Sequence, residues 1–328
     1  MFNLIAIGDP LIDTHIQIDA LCDSCQVLSG HRDQLCFNYG DKIPIVDSFQ
    51  SLGGNAPNVA AGAVKLGLSS ALLTTIGTDA YGRLIMQELK KQHVDTSLVS
   101  KDKQHKTRYS IVLNYKQERT ILSYSEEKKY RWPTTEPAAD WIYYTGLSKG
   151  FEPIQEKLVQ HLKNHPTARL AVNPGSYILK YATAKLREVL PLTDVLIVNL
   201  EEAEKIALTT LEKEKSIAQL LKKLLATGAK EVILTDGPNG AFAGTAEKLW
   251  SIPAYPVEVL SKTGAGDAFS SGYLAARFYS HTIPEALQWA TANSTSVIQA
   301  HGPHEGLLNK EQLQSVIQKF ATIIPQEL

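Results

Sequence analysis

Only three cysteines occur in 328 residues, and all of them fall between positions 22 and 36. They cannot staple a chain of this length, so an apolar core must hold the fold, and a hydrophobic content of 44% suffices for one. An excess of charge is missing too. With 33 basic against 34 acidic side chains the formal net charge is -1, which leaves no electrostatic footprint for nucleic acid or an anionic membrane. No apolar run approaches the roughly 18 residues of a membrane span. The chain enters its first apolar stretch at 3–8 without a basic n-region or cleavage site, so a cytoplasmic protein is expected. The sequence also lacks internal repeats, low-complexity tracts and long linkers, which predicts one domain over 1–328. Two common phosphate-binding signatures are absent. Gly77 and Gly82 are five apart, but Arg83-Leu84 stands where a P-loop needs Lys and then Ser or Thr. Gly8-Asp9-Pro10 does not extend to G-x-G-x-x-G.

What the sequence does contain is a run of small residues, Thr263-Gly264-Ala265-Gly266-Asp267-Ala268, with Ser270, Ser271 and Gly272 behind it. It reads as a tight turn opening a helix. Glycines let the backbone approach a ligand, and N–H groups at a helix start point outward with the positive end of the dipole behind them, which favours a polyanion. An acid in such a turn repels phosphate unless it takes a proton from an attacking hydroxyl. Asp267 is therefore a candidate general base; the competing reading is a helix cap.

Elsewhere, strand-like apolar runs at 4–7, 71–76, 141–144, 169–172, 195–198 and 231–234 alternate with helical stretches, among them 56–66 and 80–92. That pattern predicts an α/β fold with a mostly parallel central sheet covered by helices on both faces. Two segments break it. Residues 13–49, and a hairpin of 109–113 and 120–124 around Lys116-Gln117-Glu118, predict a small β lid drawn from about 13–50 and 105–126.

Four motifs in order carry a family resemblance. Gly53-Gly54-Asn55 followed by Asn58, Asn199-Leu200-Glu201-Glu202, Thr235-Asp236-Gly237-Pro238-Asn239-Gly240, and Gly264-Ala265-Gly266-Asp267 together resemble the signatures of the ribokinase (PfkB) carbohydrate kinases. The resemblance implies a ribokinase-like fold and ATP-dependent phosphorylation of a hydroxymethyl group on a sugar or sugar-like molecule. Asp267 would be the general base, and the loop of Gly264, Ala265 and Gly266 leading into it the anion hole. Asn199 and Glu202, three apart on one helix face, would hold magnesium through water; dipole reasoning alone makes Glu202 a helix N-terminal acid. Asn199, Thr235, Gly237 and Gly240 would meet the nucleotide, and Asn293, on a helix at 285–300, would border its base. For the acceptor, Asp13 matches the family's sugar-binding aspartate. Gly53 and Gly54 would permit close approach of a ring, while Asn55 and Asn58 offer donors and acceptors for its hydroxyls.

Other features are particular to this chain. Ser261, followed by Lys262, stands where family members often carry a potassium-binding aspartate, so potassium activation is not expected. Cys22, Cys25, His31 and Cys36 have the spacing C-x2-C-x5-H-x4-C, which could supply four zinc ligands, although it matches no zinc module and the simpler reading is a lid insertion with free thiols. The lid hairpin carries His105, Lys106, Arg108 and Arg119. Arg108 is the candidate contact for an acceptor bearing a phosphate or carboxylate, against the simpler reading of a charged, solvated edge. Family members often pair through their lids, so a homodimer is one expectation. Two rival functions stand beside the sugar kinase: a nucleoside kinase of the adenosine type, and a non-catalytic sugar or nucleotide sensor, against which the presence of both Asp267 and Glu202 argues.

Overall fold

The computed structural model describes residues 1–29, 33–116 and 118–328. Its first half runs β1 (Phe2–Ile7), β2 (Leu11–Ile18), β3 (Cys25–Leu28), β4 (Gln34–Phe37), β5 (Ile45–Gly53), α1 (Asn55–Lys65), β6 (Ser70–Gly77), α2 (Ala80–Lys91), β7 (Val99–Asp102), β8 (Tyr109–Tyr115), β9 (Glu118–Tyr124), β10 (Ala139–Tyr144) and α3 (Glu152–Asn164). The second half runs β11 (Arg169–Val172), α4 (Ser176–Tyr181), α5 (Thr183–Val189), β12 (Val195–Asn199), α6 (Leu200–Ala207), α7 (Leu211–Glu214), α8 (Ile217–Leu225), β13 (Glu231–Thr235), β14 (Ala241–Gly244), β15 (Leu249–Ile252), α9 (Ala265–Phe278), α10 (Ile283–Val297), α11 (Lys310–Lys319) and β16 (Gln326–Glu327).

Ten strands form one sheet, ordered β16-β15-β14-β13-β12-β11-β10-β1-β6-β7. Neighbours from β13 to β7 run parallel, and β14, β15 and β16 finish the other edge antiparallel. Helices cover both faces, so these strands must be apolar throughout. Every residue of β6 is buried. Leu4, Leu72 and Tyr143 enter the layer made with α1, α2, α9, α10 and α11, whereas Ile5, Leu73 and Tyr144 enter the layer made with α3, α4, α5, α6 and α8. Each fully buried Leu or Ile stabilises by roughly 1.5–3 kcal/mol.

The strand order reverses between β1 and β10, and ligands of such sheets bind outside the carboxyl ends of the strands at that point. The four-stranded lid sheet, β5-β2-β8-β9, rises from the carboxyl end of β1. Asp9, 2% exposed, anchors it. Its carboxylate accepts from the Tyr130 hydroxyl at 2.8 Å and the Ser148 N–H at 3.0 Å, and pairs with Lys128 at 3.4 Å. Lys128 and Tyr130 lie on the stretch returning from β9 to β10, so one buried acid ties both roots of the lid. Removing one partner of such a pair costs about 3–5 kcal/mol because the other charge is left uncompensated.

The lid's β3-β4 hairpin corrects one expectation. Cys22 and Cys25 are joined as a disulfide, packed against Ile18 and Tyr115, and Cys36 is free. Sulfurs bonded to each other are not thiolates, so the four-ligand zinc set cannot form with this bond in place. His31 lies outside the described residues.

Candidate active site

Helix α9 is buried from Ala268 to Ala276, and its small residues let α1 approach so closely that a Cβ at Gly62 would strike Ser271. That packing fixes the start of the helix. Gly264 precedes it at φ 80°, a left-handed conformation in which an added Cβ would also strike Pro303. Ala268 N–H donates to the Gly264 carbonyl at 2.8 Å, so the N–H groups of Gly266 and Asp267 precede the first intrahelical bond; that of Ala265 reaches only the Lys262 carbonyl, at 3.5 Å. Asp267 does not cap the helix. Its Oδ2 accepts from Asn58 Nδ2 at 2.8 Å. Burial pushes the Asp267 carboxyl up to about 6, with the Asn58 bond pulling the other way.

The first motif approaches this loop from α1. Gly54 starts that helix at φ 105°, where a Cβ would run into the Asp9 carbonyl, and a Cβ on Gly53 would collide with the Asp13 carboxylate. Asp13 accepts from the Ser110 hydroxyl on the neighbouring strand β8. Side chains alternate along a strand, so the register places Asp13, His15 and Gln17 on the same lid face as Ser110, Asn114 and Arg119. Arg119 donates to the Thr263 hydroxyl. The lid face that carries Asp13 therefore turns toward the loop that carries Asp267. Arg108, two residues before Ser110, has a buried Nε without a partner.

At the carboxyl ends of the body strands, Asn199 pairs in register with Thr235, and Gly237 and Gly240 turn the chain beyond it at φ 50° and 91°. Asn199 and Glu202 form a capping box: the Glu202 N–H donates to Asn199 Oδ1 at 2.9 Å, and the Asn199 N–H donates to Glu202 Oε2 at 3.0 Å. That uses one carboxylate oxygen and leaves Oε1. Burial, with the charges of Glu201 and Asp267, pushes Glu202 up to about 7 against the pull of the Asn199 N–H and Lys205.

Residues 30–310 match the family model described as pfkB family carbohydrate kinase. The chain belongs to that family. Fructoselysine 6-kinase of Escherichia coli (strain K12) is 27% identical over 255 residues, covering 76% of this chain and 90% of that protein. Ribokinase of Staphylococcus aureus (strain COL) is 26% identical over 271 residues, covering 80% and 87%. The structure of Arabidopsis thaliana ribokinase complexed with ribose and ATP superposes with a TM-score of 0.80 at 19% identity, covering 97% of this chain and 99% of that one, so the fold is ribokinase-like. This pfkB kinase is an ATP-dependent sugar kinase. Among the described residues no helix is long and apolar enough to cross a membrane.

In this pfkB kinase one expected contact is corrected. Asn293 is 0% exposed. Its amide donates to the Ala268 carbonyl at 2.8 Å and the Ser271 hydroxyl at 3.2 Å, and its Oδ1 accepts from the Leu308 N–H at 3.1 Å. It faces α9 and clamps two helices and the 308 segment together, which leaves no atom for a base. Sequence reasoning also missed Asn173. Asn55 Nδ2 donates to Asn173 Oδ1 at 2.9 Å, and Asn173 Nδ2 donates to the Ile197 carbonyl at 2.8 Å, linking the first motif to the ends of β11 and β12. The available signal was Asn173-Pro174-Gly175 directly after a strand, a turn signature.

Proposed function

We propose that this kinase transfers the γ-phosphoryl group of ATP to a hydroxymethyl group of a sugar or sugar derivative, with Asp267 taking the proton of the attacking hydroxyl. The bond from Asn58 to Asp267 carries this reading. It ties the motif beside the acceptor aspartate to the acid of the anion loop, and it leaves Asp267 one carboxylate oxygen for a substrate hydroxyl. A carboxyl near 6 is ionised at neutral pH yet basic enough to accept a proton in the transition state. The Ala265, Gly266 and Asp267 N–H groups would stabilise the charge on the transferring group, and Thr235, Gly237 and Gly240 would hold the nucleotide. Asp13, Gly53, Gly54 and Asn55 would orient the acceptor.

The residues present suit magnesium, whose chemistry when bound is to neutralise phosphate charge. Glu202 Oε1 offers a carboxylate oxygen, and Asn199 Oδ1, which accepts from the Glu202 N–H, keeps a second lone pair; a carboxyl raised by burial and like charge gains from a nearby dication. Ser261 offers no carboxylate for potassium, and its hydroxyl accepts from the Thr263 N–H at 3.2 Å. Turnover is therefore expected to be equal in potassium and in a bulky organic cation, and a strong potassium requirement contradicts this.

The buried, unpartnered Arg108 Nε, just before β8, supports an acceptor that brings its own hydrogen-bond acceptor, such as a carboxylate, phosphate or carbonyl, to that point. An ATP-consumption screen over pentoses, hexoses, their amino, acid and phosphate derivatives, and nucleosides tests the class. Turnover confined to nucleosides, or absent throughout, defeats the sugar reading. Within the screen, Asp267→Asn lowers kcat at least about a hundredfold with nucleotide affinity retained; near-normal turnover removes Asp267 from the chemistry.

A further inference from the structure

We propose that Glu136, His161 and His165 form a binding site for a zinc-class divalent cation on the face of the molecule that carries α3. One ligand atom from each of the three lies within 4.8 Å of the others. The site is unrelated in sequence and position to the cysteine cluster of the lid, and it is independent of the kinase reading.

Three features make this arrangement a cation site rather than a chance grouping. The two histidines are four apart, His161 in the last turn of α3 and His165 at its C-cap, so one helix face presents both rings. Their centroids are 4.3 Å apart. They also stand at the helix end whose carbonyls favour positive charge. Second, two of the three ligands, His165 and Glu136, are already oriented by outer partners. His165 Nδ1 donates to the His161 carbonyl at 3.0 Å, which fixes the tautomer with a free lone pair on Nε2. Trp132 Nε1 donates to Glu136 Oε2 at 3.3 Å and leaves Oε1 turned to the His161 ring. Such supporting bonds are what orient ligands in built metal centres. Third, His161 Nδ1 and Glu136 Oε1 are hydrogen-bonded to each other, and a divalent ion can take the place of the shared proton. His161 is 3% exposed, so its ring is held in place by packing.

Two imidazoles and one carboxylate suit zinc, with a fourth tetrahedral position left for water. The consequence is mechanical. Glu136 lies on the return stretch from β9 to β10, together with Lys128 and Tyr130, which anchor Asp9. A cation shared by Glu136 and α3 fastens that stretch to the body and so steadies one root of the lid.

Calorimetric titration of the full, untagged chain with zinc chloride tests this, in millimolar magnesium so that Glu202 and Asp267 do not compete. One zinc per chain is expected, with a higher melting temperature in its presence. His165 is exposed, so His165→Ala should fold normally; it and Glu136→Gln should each weaken binding by more than the roughly 10–100-fold that loss of a group merely supporting a ligand costs. Cys36→Ser should bind zinc as the parent does. No binding by the parent chain, unchanged affinity in both triad variants, or loss of binding with Cys36→Ser each overturns the proposal.

Discussion

Replacing Asp267 by asparagine should disable the kinase and make it harder to unfold. Burial raises the Asp267 carboxyl from 3.8 to about 6 in the folded chain. The folded state therefore binds more protons than the unfolded state between these values, and its stability falls as pH rises through that window. The penalty is nearly complete about one unit above 6. A shift of roughly two units corresponds to about 3 kcal/mol, and the Asp267→Asn chain would carry none of it while its new amide still accepts the Asn58 bond. For a chain of 328 residues, unfolding entropy of about 2 cal/mol/K per residue converts this to a gain of about 4 °C in melting temperature. Relief of Glu202, raised in part by the Asp267 charge, adds in the same direction. Thermal unfolding of parent and Asp267→Asn without nucleotide or magnesium reads the effect: a gap of a few degrees at pH 8 that closes toward pH 4. A variant that melts at or below the parent at pH 8, or a gap independent of pH, refutes the reasoning.

Three further substitutions separate the roles of neighbouring residues. Asn58→Ala removes a hydrogen bond to a carboxylate, worth about 1.5–3 kcal/mol, so the acid limb of kcat/KM should move up by about one unit or more; an unmoved limb means that Asp267 does not control it. Gly53→Ala puts a methyl where the Asp13 carboxylate now lies, and the acceptor KM should rise while the KM for ATP stays constant; parallel rises would place the damage elsewhere. Asn293→Ala strands the buried Leu308 N–H at about 1–3 kcal/mol, while the Ala268 carbonyl keeps the Ser271 hydroxyl at 3.0 Å. It should lower the melting temperature without weakening ATP binding, and a selective loss of ATP affinity would restore Asn293 to the nucleotide site.

The parts of this molecule legible in the sequence are those whose physics is local. A strand buried on both faces must be an apolar run, so β6 shows itself in Ala71 to Ile76, and the turn before α9 shows itself because only small residues can make it. Contacts that depend on register were not legible. Asn55 meets Asn173, Ser110 meets Asp13 and Arg119 meets Thr263 across 118, 97 and 144 positions, and each follows from how the lid sheet pairs and how the strands order. Asn293 was misread for a different reason. Helix α10 is buried nearly all round, so no apolar stripe marks which side a polar residue faces. The spacing of Cys22 and Cys25 suits either a zinc pair or a disulfide, and nothing local distinguishes them.

What joins these observations is the electrostatics of the two acids. Asp267 at about 6 and Glu202 at about 7 are both raised chiefly by burial, and the charge of Asp267 adds to the rise of Glu202. Each is a cost to the fold at neutral pH, and a structural role alone gives no reason to bear it, since an Asn or Gln side chain would keep the hydrogen bonds to Asn58 and to the Asn199 N–H. The cost is relieved by positive charge placed near both. The start of α9 offers partial positive charge to an anion a few atoms away, and Glu202 Oε1 offers a ligand to a cation, so the arrangement favours a dication and a polyanion arriving together over either alone. A magnesium nucleotide has that charge pattern.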